Sequence, residues 1–282
     1  MNTIYLIAII LGVSGQNILK KMYSKKTAGQ GVYTYTLITA LTAMLFFILT
    51  AKKLQWEPAL LLYSLLFAVS FGAASIFSTL AMACGPLSLT SLISSFSLMI
   101  PTFYGLIFLK EPISFGLLPG LILLVGALLL INKKSADSPV TAKWLLFVLI
   151  TFAGNGMCSV VQKMQQSAFS GSFKNEFMIL SMSMVSVIML SALLLKERRE
   201  AAAFARSGLF LGISCGLLNG TVNLFVMILS GLMSVSLMFP LVSVGGIVVS
   251  FLVSILFYKE KLTKAQYIGF LLGIAAIVFL NL

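Results

Sequence analysis

The chain contains no histidine, seven acidic residues and three cysteines among 282 residues. Without histidine there is no H-E-x-x-H metal helix and no imidazole to activate a serine nucleophile. The single aspartate, Asp137, falls in a loop. Cys84, Cys158 and Cys215 lie far apart in apolar stretches without C-x-x-C spacing, so they read as buried free thiols. These absences argue against an enzyme, a resident cofactor or a bound metal. Charge is scarce as a whole: 9% of residues are charged, against roughly 25% in a soluble domain. Apolar residues make up 60%, and the mean hydropathy is +1.08. A soluble fold of this size lacks the polar residues to cover such a surface, whereas lipid requires none.

What is present divides into apolar runs. A spanning helix takes about 20 mostly apolar residues. Ten such runs are predicted, at 3–22, 33–51, 59–84, 87–109, 113–132, 142–162, 177–195, 208–230, 232–258 and 265–282. Nearly all charges fall between the runs or in their terminal turns, as expected when a charge at a helix centre costs about 2.5–3.5 kcal/mol. The longest connections, 23–32, 133–141 and 196–207, are too short to fold as domains. Within the last of these, "AAAFARSG" (Ala201 to Gly208) is expected to form an interfacial turn. The first run lacks a basic n-region and an A-x-A cleavage signal, so it reads as a span.

The net charge of +12 is scattered over short loops without a basic module. It therefore points to anionic lipid and to topology, and not to nucleic acid. Loops after runs 1, 5, 7 and 9 hold 14 Lys and Arg, and the alternate loops hold 5. The positive-inside rule would place both termini outside.

The sequence also repeats. "FLKEPI" (Phe108 to Ile113) returns as "FYKEKL" (Phe257 to Leu262) at an offset of 149 residues. At that offset Phe108, Lys110, Glu111, Gly120 and Asn132 fall on Phe257, Lys259, Glu260, Gly269 and Asn281. At an offset of 142, Gly12, Lys21 and Met22 fall on Gly154, Lys163 and Met164. The order implies two copies, 1–137 and 138–282, of five helices each. Five is odd, so the copies must cross the bilayer in opposite senses. The expected fold is an all-α polytopic membrane protein of ten transmembrane helices in two inverted repeats. Many secondary transporters are built this way, with the solute near midplane at the repeat interface.

The segment "VSVGGIVVSFLVSILFYKEKLTKAQYIGFLLGIAAIVFLNL" resembles the last two helices of small multidrug resistance transporters. The whole chain resembles the EamA branch of the drug/metabolite transporter superfamily. The resemblance rests on Ser243, Gly245, Gly246 and the Lys-Glu turns that open the fifth and tenth helices. It implies a central cavity lined by helices 1, 3, 4, 6, 8 and 9, with 5 and 10 peripheral. It also implies cytoplasmic termini, against the charge count. Small multidrug transporters couple protons through a glutamate in their first helix. That position falls near Val13 here, and its second-half equivalent is Asn155.

The residues themselves nominate a polar lining. Ser14, Gln16 and Asn17 lie in the first helix, Ser94 in the fourth, and Asn155, Ser159 and Gln162 in the sixth. Asn219 and Asn223, four apart, share one face of the eighth helix. An amide in hydrocarbon must find partners, either a neighbouring helix or a wet cavity. Pro101 and Pro240, each four residues after a serine, are candidate bends, and Gly245 and Gly246 permit close contact or flexing. Lys21 and Lys163 are expected to snorkel to headgroups, with an anionic substrate group as the alternative. Gly116/Gly120 and Gly269/Gly273 have close-packing spacing, for use within the chain or in a homodimer. The expected activity is a secondary carrier of small neutral, zwitterionic or amphiphilic metabolites, working outward across a bacterial cytoplasmic membrane as a monomer or homodimer. The alternative is a lipid-linked flippase component or a partner-dependent membrane subunit.

Overall fold

A computed structural model describes residues 2–84, 96–131, 141–256 and 264–280. They form helices α1 (Asn2–Lys26), α2 (Val32–Thr50), α3 (Leu60–Cys84), α4 (Met99–Ile107), α5 (Leu117–Ile131), α6 (Ala142–Ala168), α7 (Lys174–Lys196), α8 (Ala201–Ser230), α9 (Val235–Leu256) and α10 (Lys264–Leu280). No strand occurs among the described residues. Six helices, α1, α2, α3, α6, α7 and α8, are long and apolar enough to cross a membrane. Shorter apolar stretches, Leu117–Ala127, Val235–Gly246 and Tyr267–Ala276, lie in α5, α9 and α10.

The surface has the character of a bilayer-facing one. Leu195 is 81% exposed, Phe210 79% and Ile122 72%. Side chains of this kind on every long helix would be costly in water and are at home in lipid. The protein is a helical membrane protein.

Two expected boundaries change. The segment "AAAFARSG" is not a separate turn but the first two turns of α8, since nothing in it breaks a helix and alanine favours one. The sixth run continues to Ala168 through polar residues, including Gln165 and Gln166, that are buried against other helices. The hexapeptide "FYKEKL" lies outside the described residues.

The helices pack in a pattern that repeats after five. α1 lies on α8 and α9, as α6 lies on α3 and α4; α2 lies on α8, as α7 lies on α3. Glycines that match in sequence sit at matching crossings. A Cβ on Gly12 would fall 2.5 Å from Val222 of α8, and one on Gly154 would fall 2.7 Å from the Ser70 carbonyl oxygen of α3. The helices also differ in direction. Lys26, ending α1, reaches the Ser207 carbonyl near the start of α8, whereas Lys163 near the end of α6 reaches the Ser230 carbonyl at the end of α8. α1 therefore runs against α8 and α6 runs with it, so α1 and α6 point oppositely.

The largest core joins α2, α3, α6, α7 and α8 around Phe47, Phe67, Phe177, Met178 and Met182. α5 lies along α10, and Gly116, Gly120, Gly269 and Gly273 are all buried.

Candidate functional site

Four amides from three helices form one hydrogen-bonded chain. Asn219 of α8 donates through Nδ2 to Gln16 Oε1 of α1 at 3.1 Å. One turn on, Asn223 donates to Asn219 Oδ1 at 3.0 Å and to the Asn219 carbonyl at 2.8 Å. Gln162 of α6 completes the chain, donating through Nε2 to Asn223 Oδ1 at 2.7 Å. Asn219 and Gln162 are buried, and Asn223 and Gln16 are half-buried. The four-residue spacing puts both asparagines on one α8 face, and the chain joins α1 to α6 through that face. Each amide has two donors and an acceptor with two lone pairs. Among the described residues, hydrogen-bonding capacity therefore remains at both ends, on the Gln16 nitrogen and the Gln162 oxygen.

None of the other nominated residues that are described takes part in these bonds. Ser14 is buried and its hydroxyl has no partner among the described residues. Asn17 lies on the exposed side of α1, and Asn155 and Ser159 are half-buried on α6. Ser243 is half-buried and partnered. Ser94 lies outside the described residues. Pro101 sits in the first turn of α4, where its missing N–H costs nothing, and a turn at Ser97 and Leu98 precedes it. Pro240 is inside α9. A Cβ on Gly245 would fall 2.3 Å from Ile10 of α1, whereas Gly246 faces open space. The first glycine thus lets α9 approach α1, and the second does not serve a close contact.

The ends of the helices carry the acids, and two of them cap helices far away in sequence. α4 ends with Lys110 in the left-handed region (φ 51) and with the Glu111 N–H bonded to the Gly105 carbonyl. This reversal turns the Glu111 side chain towards α9. Its carboxylate accepts from the backbone N–H of Val235 at 3.0 Å and of Ser236 at 2.9 Å. Gly105 makes the room, since a Cβ there would fall 2.5 Å from Glu111 Oε2. Lys163 donates to the Ser230 carbonyl, so the α8–α9 turn is clasped between a cation at one helix end and an anion at the next. At the opposite end of the bundle Glu197 accepts from Tyr33 N–H, Thr34 N–H and the Thr34 hydroxyl, at 3.1, 2.8 and 2.7 Å.

Two expectations are corrected by these contacts. Glu111 serves the start of α9 and not of α5, which begins only at Leu117. Lys163 turns inward to a helix end and not out to headgroups. A cleft of about 730 Å³ opens beside Glu197, lined by Gly31, Tyr33, Ile76, Leu80 and Phe204, but none of the four amides lines it.

Residues not nominated from sequence also turn inward. Lys20 of α1 donates to Ser78 Oγ of α3 at 3.4 Å. Buried Gln166 donates to Gln165, and Gln165 donates to the Ser172 carbonyl at 3.0 Å. The i, i+4 spacing of Gln16 and Lys20 was available as a signal for Lys20.

No family model matches the chain, and no curated protein matches it. Among 29 matching solved chains, one described only as "Crystal structure of protein" superposes with a TM-score of 0.79 at 12% identity. The match covers 99% of this chain and 95% of that one. At that identity the likeness is one of fold over the full length.

Proposed function

We propose that this protein is a secondary carrier that moves small metabolites, outward, across a bacterial cytoplasmic membrane. Its ten spans form two EamA-like halves, 1–137 and 138–282, that cross the bilayer in opposite directions. The observation that carries the reading is the amide chain Gln16–Asn219–Asn223–Gln162, which ties the first helix of each half to α8. Hydrogen bonds between membrane helices contribute only about 0.6 kcal/mol on average. A solute offering its own donors and acceptors can therefore replace them at little net cost. Exchange of partners would let α8 shift between α1 and α6, as alternating access requires. The opposite directions of α1 and α6 and the packing that repeats after five helices support two halves able to exchange shapes.

The amide chain contains no acid, and the described acids that cap helices, Glu111 and Glu197, lie at the bundle ends. Among the described residues, carboxylate-borne proton exchange of the small multidrug type has no carrier in the amide chain, which disfavours a permanent cation as the solute. The test is counterflow of labelled amino acids and related metabolites in proteoliposomes, with and without a pH gradient. Uptake of at least one solute that is lost in Asn223→Ala supports the reading. No flux across a broad panel sinks it, and activity only with a stoichiometric co-purifying partner would favour the partner-dependent subunit.

A further inference from the structure

Lys20 is a cation turned into the bundle, and among the described residues no anion meets it. It lies on the same face of α1 as Gln16, one turn or about 6 Å further along the helix. Its ammonium reaches the Ser78 hydroxyl of α3 at 3.4 Å, a long contact. That hydroxyl already donates to the Ser75 carbonyl at 3.1 Å. Ser78 is only 6% exposed, so the lysine points between helices and not to the headgroups. Among the described residues no carboxylate bonds or pairs with Lys20. Other lysines end on helix or loop carbonyls: Lys163 on Ser230, Lys26 on Ser207 and Lys174 on Gly171. An inward ammonium held by one hydroxyl is costly unless an anion arrives.

We infer that Lys20 and Gln16, with Ser78 holding the ammonium in place, form the carboxylate-binding end of the solute site, which selects a small organic monoacid, zwitterions included. The inference rests on the transport reading above. The Lys20 ammonium supplies the charge, and the Ser78 hydroxyl lies within its reach. The Gln16 amide nitrogen, which donates to nothing among the described residues, supplies a second donor. One cation suits a monoanion; a phosphate dianion would call for more than one. Asn219, Asn223 and Gln162 continue from Gln16 and offer neutral partners to the rest of the solute.

The experiment compares acids with their neutral amides on the purified full chain: lactate with lactamide, and N-acetylleucine with N-acetylleucinamide. Leucine is compared with its cationic amide to test whether a zwitterion's carboxylate is also read. Binding is read as the rise in unfolding midpoint in detergent, and flux as counterflow in liposomes with and without phosphatidylglycerol. At least one acid should act at about tenfold lower concentration than its neutral counterpart, the effect of roughly one charged hydrogen bond. Lys20→Gln should erase that ratio, so that acid and neutral counterpart act at the same concentration, and Lys20→Arg should keep part of it. An equal response to acid and neutral partner in the wild type, or no response to any acid, overturns the inference whether or not the variants fold. So does a Lys20→Gln protein that keeps the ratio. If Lys20→Gln changes only the response to phosphatidylglycerol, the lysine serves a headgroup and the inference fails. An acid preference that needs Lys20, without flux of any solute, upholds the site and defeats the transport reading. Flux without acid preference does the reverse.

Discussion

Replacing Glu111 with alanine removes a carboxylate that accepts two backbone N–H groups, those of Val235 and Ser236. Both residues are fully buried, so water does not take over the orphaned donors. A hydrogen bond to a charged group contributes about 1.5–3 kcal/mol, and the two bonds to one carboxylate are not independent. The expected loss is therefore about 3 kcal/mol. It includes the first-turn dipole of α9, which the carboxylate also stabilises. A loss of that size corresponds to a fall of about 6–12 °C in the unfolding midpoint of the detergent-solubilised protein. Glu111→Gln keeps one acceptor oxygen but turns an amide donor on the second N–H, so it should fall about half as far. Glu57→Ala is the control, since among the described residues the Glu57 carboxylate accepts only a long bond of 3.4 Å from Ala59 N–H within its own loop. Thermal unfolding followed by tryptophan fluorescence measures all three. A Glu111→Ala midpoint equal to that of the wild type, or an equal fall in Glu57→Ala, refutes the capping role.

Asn223→Ala breaks the amide chain at its centre, removing its bonds to Gln162 and to Asn219. It should cost about 1–2 kcal/mol of stability and at least about tenfold in counterflow, with Asn219→Ala close behind. Unchanged flux in both returns the pair to helix packing. Gly154→Ala puts a methyl 2.7 Å from a backbone oxygen of α3, so it should destabilise by about 1–2 kcal/mol. Gly246→Ala, with nothing within 4 Å, should be neutral or slightly stabilising by thermal shift. Glu197→Gln weakens the cap on α2, and its unfolding midpoint should fall by about 2–6 °C.

Much of the site was half legible. The Asn219–Asn223 spacing shows a shared face because helical periodicity is local. Their partners are not local: Gln16 lies 203 residues from Asn219, and Gln162 lies 61 from Asn223. Neighbouring residues separate accordingly. Asn17 follows Gln16 directly, yet a step of one residue turns it about 100° around the helix, onto the exposed side. Lys20, one full turn on from Gln16, is turned towards α3.

The sequence by itself determined that this is a helical membrane protein and roughly where its helices run. Lipid imposes that constraint on each apolar run separately, through its length and its lack of charge. Matching landmarks such as Gly12 and Gly154 could likewise be found along the chain. Only the tertiary structure decided what those landmarks touch. Glu111 reads locally as the opener of α5, but the left-handed turn at Lys110 and the absence of a side chain at Gly105 aim it at α9. The rotation of each helix and the approach of its neighbours set such contacts, and no single run of sequence encodes them.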